Sequence, residues 1–362
     1  MHDVIFVGSG VAGCYTSSLL PNGLDILLLE KDKKVRPKDS GIVSRSFDSF
    51  INEPSLIKSL PTEIECISPS GKNFSLRSQE PFLRILKRRK FTRYLRKRAR
   101  TKGELRFETV TDVIHRKDCV TVRTNNGEYD ARVVVGCDGA NSLVRKRMGI
   151  KPPALSAGMM VKTKQNLGSK IRVFFNKHYS PDYFAWIIPQ NKEYGLITAI
   201  RPREYLNHFS RMEGLAGGKL YAYLVPMGTT KSYGHRSLLI GDACGQNKPL
   251  TGGGIVFSLT AGKIAAMMIK DAFETKTFHA AFFRSYEKLW KAELQKEIRR
   301  QQIVRKIYRN LSNKEIDMLF DDFGGYIQSL GTFDYDKFSR SWDRLPKWKL
   351  LKFGISKVRY AF

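Results

Sequence analysis

Asp3-Val4-Ile5-Phe6-Val7-Gly8-Ser9-Gly10-Val11-Ala12-Gly13 is the stretch on which the fold turns. An apolar run enters a glycine turn of the form GxGxxG. Val11–Leu20 then continues as a helix that leads to a second apolar segment, Asp25–Leu29. Strand, turn, helix and strand make a βαβ unit, the usual opening of a doubly wound α/β domain. The three glycines play different parts. Gly8 permits the tight turn, Gly10 lets a pyrophosphate approach the backbone, and Gly13 allows helix and strand to touch. The helix N-terminus adds partial positive charge toward the phosphates. Glu30, about twenty residues further on, stands where an acid accepts hydrogen bonds from ribose hydroxyls. The unit predicts a dinucleotide site without saying which dinucleotide.

The composition fits a large globular chain. With 362 residues, 42% of them hydrophobic, it can bury a sizeable core in two intimately joined domains. Met1–Val7 carries no basic leader or cleavage site, so a secretory or transit peptide is not expected. No apolar run approaches the roughly 18 residues that span a bilayer. Five scattered cysteines, Cys14, Cys66, Cys119, Cys137 and Cys244, form no CxxC pair. That pattern argues against a disulfide framework and against a metal site, and it favours a reducing cytoplasm. The formal charge of +29 is the compositional anomaly. It suits an anionic membrane surface or an anionic headgroup; nucleic acid is disfavoured because the glycine loops need another explanation.

Further along, Glu63–Ser68 and Asn73–Arg77 flank a Pro-Ser-Gly-Lys turn as a hairpin, and a basic helix covers 88–102. Its cations are read either as a solvated face or as a phosphate- or lipid-facing surface. Leu105–Glu108, Val110–His115, Val120–Thr124 and Ala131–Val135 alternate as a small antiparallel sheet would. A second antiparallel sheet is expected from Met159–Thr163, Ile171–Phe175, Tyr183–Ile188 and Tyr194–Ile200. Ser237–Ile240, a glycine-rich loop and a helix over about 254–272 return the chain to the first domain, and the last quarter is helical and basic. The expected organisation is a discontinuous nucleotide domain of 1–150 plus 226–275, with substrate-domain strands interleaved at 61–85. A substrate sheet occupies 151–225, and a C-terminal helical region occupies 276–362.

Three further elements identify the cofactor. Gly241-Asp242-Ala243 follows an apolar strand and leads through Lys248-Pro249 to Gly252-Gly253-Gly254-Ile255 at a helix start. Val133–Gly136 runs into Cys137-Asp138-Gly139-Ala140-Asn141-Ser142, with Arg145 beyond, and Arg88-Arg89-Lys90-Phe91 opens the basic helix. Together these resemble the FAD motifs of the p-hydroxybenzoate hydroxylase-like flavoproteins. Over roughly residues 1–300 the nearest resemblance is to the geranylgeranyl reductases, including the digeranylgeranylglycerophospholipid reductases. It is carried by the long loop 241–255, by Tyr183-Phe184-Ala185-Trp186-Ile187-Ile188-Pro189, by Val225-Pro226-Met227-Gly228 and by Gly41-Ile42-Val43-Ser44.

The resemblance implies an α/β fold: a Rossmann-like FAD-binding domain with an inserted antiparallel-sheet substrate domain and a helical C-terminal region. It places FAD against Gly8, Gly10, Val11, Ala12, Gly13, Glu30, Lys31, Gly41, Arg88, Val113, Asp138, Gly139, Gly241, Asp242, Pro249, Gly252, Gly253, Gly254 and Ile255. A prenylated lipid would lie against Tyr183, Phe184, Trp186, Ile188 and Pro189, of which only alternate residues can face one cavity. Many relatives carry a cysteine just before the Gly-Ile-Val-Ser-like stretch, where this chain has Asp39-Ser40. Asp39 is the acid candidate there, against the alternative of a turn former. The implied activity is saturation of C=C bonds in geranylgeranyl chains of a membrane lipid precursor; the alternative is a flavin monooxygenase or halogenase acting on an aromatic or other apolar small molecule. The electron donor is read as NAD(P)H or a ferredoxin-like protein, since one dinucleotide fingerprint appears. The expected location is cytoplasmic, with peripheral attachment to the cytoplasmic membrane face as one reading, and Pro346–Phe353 is read either as an interfacial helix or as a segment docked on the protein's own body.

Overall fold

The computed structural model describes residues 1–35, 39–329, 334, 336 and 337. The segment Pro346–Phe353 lies outside the described residues. Val4, Ile5 and Phe6 are fully buried and form the middle of a parallel sheet, flanked on one side by Ile26–Leu29 and on the other by Glu128–Gly136. Glu104–Arg106 and Ser237–Leu239 extend it outward, again in parallel. Strands covered on both faces read as continuous apolar runs, which is the pattern of Ile26–Leu29 and Val133–Val135. Tyr233–Gly234 and the hairpin Val110–Thr124 complete eight strands.

One face of this sheet is covered by helix Val11–Ser18, which packs on the basic helix Arg88–Arg100 and on Ile255–Glu274. The other face is covered by the hairpin and the short helix Leu143–Arg147. A separate antiparallel sheet is the expectation for the segments near 105–135, and here the structure differs. Glu104–Arg106 and Glu128–Gly136 are parallel members of the main sheet, and antiparallel pairing is confined to the strands 110–115, 120–124 and the start of 128–136. Alternation identifies a strand but carries no information about its partner.

The second sheet has seven strands in the order 219–226, 155–162, 193–198, 185–188, 171–174, 63–67 and 73–77. It is antiparallel except where Ile171–Phe174 runs parallel to Glu63–Ile67, which departs from an all-antiparallel expectation. Three short strands, Ile42–Ser44, Leu83–Leu86 and Ile57–Ser59, bridge the two sheets in sequence. Ala280–Arg309 packs against Ile255–Glu274, and Asn313–Ser329 lies over the strand 73–77.

Helices Val11–Ser18 and Ile255–Glu274 approach closely because Gly262 has no side chain. A Cβ there would lie 2.6 Å from Thr16 Oγ1 and 3.3 Å from the Tyr15 ring. Gly262→Val is expected to lower the unfolding free energy by about 1–3 kcal/mol, the usual cost of overpacking. A urea titration with an unchanged midpoint would contradict the close contact.

Candidate functional site

A single cavity of about 1890 Å³ runs along the end of the parallel sheet and across one face of the second sheet. Sites for one drug-sized molecule are about 300–1,000 Å³. This one has room for a large cofactor together with a second ligand.

The dinucleotide end is built on the first glycine turn. Gly8 has φ +101°, and a Cβ on it would lie 2.4 Å from the Cys137 carbonyl oxygen, so the position admits only glycine. At Gly13 a Cβ would come within 2.1 Å of the Gly8 carbonyl. Gly10 differs, since among the described residues a Cβ there would meet nothing within 4 Å. Helix Val11–Ser18 starts with no side-chain cap, leaving its first-turn N–H groups for an anion. Glu30 Oε2 accepts hydrogen bonds from Ser9 N and Ser9 Oγ, each at 3.0 Å, and lines the cavity beside the loop.

Asp138 closes the other side of the turn. Its Oδ2 accepts from Leu143 N at 2.7 Å and Val144 N at 3.2 Å, whereas its buried Oδ1 has no hydrogen-bond partner among the described residues. Burial pushes this carboxyl above the usual carboxylate range, and its own hydrogen bonds offset the shift only in part. An orphaned buried oxygen at a cavity wall fits a ligand that donates a hydrogen bond.

The loop after Ser237–Leu239 is rigidly braced. Gly241 N donates to Gln246 Oε1 at 2.8 Å, Gln246 Nε2 donates to the Tyr286 hydroxyl at 3.0 Å, and Asn247 Nδ2 donates to the Pro226 carbonyl at 2.9 Å. Asp242 lines the cavity, as do Gly252, Gly253 and Gly254, beyond which Ile255 begins a second helix without a side-chain cap. Two open helix N-termini, at Val11 and Ile255, therefore border the same space.

Arg88 and Asp39 form a bidentate pair, Nε to Oδ1 and Nη2 to Oδ2, both at 2.7 Å. Asp39 Oδ1 also accepts from Gly41 N at 2.8 Å, which fixes the turn into Ile42–Ser44. With both oxygens committed, this geometry favours Asp39 as a turn-holding anion over an acid that hands on a proton. The basic helix turns Phe91, Leu95 and Ala99 into the core and lines the cavity with Arg88, Arg89, Arg93, Arg96, Lys97 and Arg100.

The far half is apolar. Phe184, Trp186 and Ile188 line it at every second position of their segment, joined by Ile171 and Val173 from the neighbouring strand and by Tyr221, Tyr223 and Val225 from the edge strand. Gly195 and Gly158 leave room for the large rings: a Cβ on Gly195 would lie 2.8 Å from Trp186, and one on Gly158 would lie 2.3 Å from the Tyr223 ring.

Of the positions read from sequence, Gly8, Gly10, Val11, Ala12, Glu30, Lys31, Gly41, Arg88, Asp138, Gly139, Asp242, Gly252, Gly253, Gly254 and Ile255 line this cavity. Gly13, Val113, Gly241 and Pro249 do not; Gly13 lets the helix approach the Gly8 turn, and Val113, on the hairpin, packs into the core. Tyr183 and Pro189 are also off the wall, Tyr183 being buried and stacked on Phe184 with centroids 4.6 Å apart. Sequence reading missed the edge-strand tyrosines, whose period-two spacing was a usable signal. It also missed Asp336, a buried cavity residue that pairs with Lys248 Nζ and accepts from Ser44 N at 3.2 Å. No local signal announces a partner that distant in sequence. Among the described residues no cluster of three His, Cys, Asp or Glu side chains is placed to hold a metal ion.

A sequence profile of the FAD binding domain matches residues 1–213. The chain is similar to digeranylgeranylglycerophospholipid reductase 2 of Methanothermobacter thermautotrophicus, at 27% identity over 90% of this chain and 92% of the relative. It is similar to the digeranylgeranylglycerophospholipid reductase of Methanocaldococcus jannaschii, at 26% identity over 93% and 94%. Among solved structures, a geranylgeranyl bacteriochlorophyll reductase-like protein from Thermoplasma acidophilum superposes with TM-score 0.80 at 22% identity, over 95% of this chain and 99% of that one. The halogenase PltM in complex with phloroglucinol and FAD superposes with TM-score 0.66 at 16% identity, over 91% and 82%. These structural likenesses carry the fold alone.

Proposed function

The chain belongs to the FAD binding domain family, and we propose that it is a reductase that saturates isolated C=C bonds in the geranylgeranyl chains of an anionic membrane-lipid precursor. The observation that supports this most is the continuity of one cavity from the glycine turn and its two helix N-termini to an aromatic and aliphatic sheet face. Relatives named digeranylgeranylglycerophospholipid reductase, matched over nine-tenths of their length, support the same substrate class.

When bound, FAD supplies the two electrons as hydride, which is the part of the chemistry no side chain can provide. The amides at Gly10–Ala12 and the Glu30 carboxylate would hold its nucleotide half, and Asp138, Asp242 and the loop 252–255 the remainder. An isolated double bond has no neighbouring carbonyl to stabilise negative charge. Hydride and proton must therefore reach adjacent carbons in fixed geometry with bulk water kept out. Phe184, Trp186 and Ile188 serve that end by giving a prenyl chain an apolar wall, at about 0.8 kcal/mol for each CH2 removed from water. The exposed cations of the basic helix, Arg89, Arg93, Lys97 and Arg100, line the cavity beside the Glu30 end and suit an anionic group there, whether a cofactor phosphate, a lipid headgroup or an anionic leaflet. Among the described residues no helix is long and apolar enough to cross a membrane. Liposome sedimentation should accordingly depend on anionic lipid and weaken as salt rises; equal sedimentation with neutral vesicles would remove the electrostatic attachment.

The deciding experiment is mass spectrometry of prenyl lipids incubated anaerobically with the chemically reduced flavoprotein. A gain of H2 per double bond is expected. Oxygen-dependent hydroxylation or halogenation of a small aromatic compound, with prenyl lipids unchanged, would overturn the reading in favour of a monooxygenase or halogenase.

A further inference from the structure

We propose that Glu193, acting through the Ser40 hydroxyl, is the proton reservoir of this site, storing the proton that goes to the alkene carbon not receiving hydride. The inference rests on the reductase reading above and deepens it.

Glu193 opens the interior strand Glu193–Thr198, third in the order of the second sheet. Register sets it opposite Ile188 on one neighbour and Lys162 on the other. Directly opposed residues of antiparallel strands share a face, and Ile188 lines the cavity, so Glu193 points to the cavity side. Its side chain is nevertheless fully buried. Ser40 stands in front of it: this residue lines the cavity, and its carbonyl accepts from Asn191 Nδ2 at 2.7 Å, which pins the loop over the start of the strand. The Glu193 carboxyl lies against Ser40, Asn191 and Lys162, the last with Nζ 3.5 Å from Oε2. Ser40, Lys162 and Asn191 are the side chains against its oxygens, and among the described residues neither oxygen has a further hydrogen-bond partner.

A fully buried carboxyl favours its neutral form. Burial pushes Glu193 above the usual carboxylate range, and Ser40, Lys162 and Asn191 offset this only in part. The group is thus a buried acid one residue behind the cavity wall, with Ser40 between it and the cavity, an environment that tunes a carboxyl for proton transfer. The charged groups around it are Lys162 from the adjacent strand, Lys192 beside it in the chain, and Lys58 from the small sheet. Lys219 stands opposite Lys162 on the edge strand, and the Asp39–Arg88 pair flanks Ser40 on its loop.

The step balances without further reagents. With reduced flavin bound as the two-electron donor, hydride would reach one alkene carbon. The alkene π pair takes the Ser40 hydroxyl proton at the other carbon, and Ser40 recovers a proton from Glu193. Glu193 is left as a carboxylate beside the Lys162 ammonium and is reprotonated from solvent along the lysine side, where Lys162 is partly exposed.

Three variants test the proposal in the FAD-loaded protein: Glu193→Gln, Glu193→Asp and Ser40→Ala. Infrared spectra of the oxidised wild type, which need no turnover, should show a carboxylic-acid carbonyl band that persists above the usual carboxylate range and that Glu193→Gln lacks and Ser40→Ala keeps. Single-turnover saturation by chemically reduced protein should fall on the order of 100-fold or more in Glu193→Gln and Ser40→Ala, the usual range for losing a positioned acid. Flavin content and chemical reduction should stay unchanged. Wild-type turnover should decline as pH rises through the Glu193 titration. Glu193→Asp should recover part of the rate with a displaced profile, and it carries the test if the glutamine variant fails to fold. Wild-type saturation matched by Glu193→Gln in rate and pH profile would overturn the proposal. So would the absence of the acid band from the wild type. A wild type that keeps the band yet saturates no prenyl lipid would instead sink the reductase reading.

Discussion

Gly10→Val is expected to purify folded but colourless, with FAD affinity lowered by at least about 100-fold, or about 3 kcal/mol. Gly10 has φ −77°, which valine adopts without strain, and an added Cβ meets no atom of the described residues within 4 Å. The protein alone should therefore tolerate the change, with a melting temperature close to wild type. The space the valine enters is the space a pyrophosphate needs in order to reach the first-turn amides. Gly8 and Gly13 make the necessary contrast, since side chains there collide with backbone at 2.4 and 2.1 Å and should damage the fold itself. Flavin absorbance after purification and a fluorescence titration with FAD measure the effect. A stoichiometrically yellow Gly10→Val protein would mean that the cofactor phosphates lie elsewhere.

Legibility of this site in the sequence followed locality. The first glycine turn with Glu30, the loop 241–255 and the Asp138 turn each concentrate their geometry within a few residues of one strand end, so the sequence displays them as motifs. The hairpin 63–77 was legible for the same reason, because its turn joins neighbouring segments. Pairing between distant segments was not. Nothing in Glu128–Gly136 reveals that it lies parallel to His2–Val7, and nothing in Ile171–Phe174 reveals its parallel neighbour Glu63–Ile67. The edge strand Lys219–Pro226 is absent from the strands read from sequence, although Tyr221 and Tyr223, spaced two apart, line the cavity. Glu193 fell at the margin of a strand read as starting at Tyr194, and its chemistry comes from burial, which composition does not encode. The charge of the basic helix had two readings. Six of its eight cations line the cavity, Lys90 and Arg98 do not, and every fourth position from Phe91 to Ala99 enters the core.

The second large effect concerns what keeps the substrate sheet in place. Asp182 Oδ2 accepts from Arg305 Nη2 at 2.8 Å, and Asp182 Oδ1 accepts from Thr198 Oγ1 at 2.7 Å and from Ala199 N at 3.2 Å. Arg305 also donates to Ser156 Oγ at 3.1 Å, and its guanidinium lies 5.6 Å from the centre of the Tyr183 ring. Both side chains are about nine-tenths buried, so this pair joins helix Ala280–Arg309 to three parts of the sheet in a low-dielectric setting. Asp182→Ala leaves a buried guanidinium without its counter-charge, which costs about 3–5 kcal/mol where such pairs are broken from one side. Against a total stability of about 5–15 kcal/mol, that is a large share. Denaturant unfolding should show the loss, and flavin content measured well below the new melting temperature should change little because the glycine turn is untouched. The double variant Asp182→Leu with Arg305→Met should regain much of the stability, since removing both charges also removes the desolvation cost. If Asp182→Ala stays within about 1 kcal/mol of wild type, the helix is fastened by its apolar contacts alone, and the pair is incidental to how the cavity wall is held.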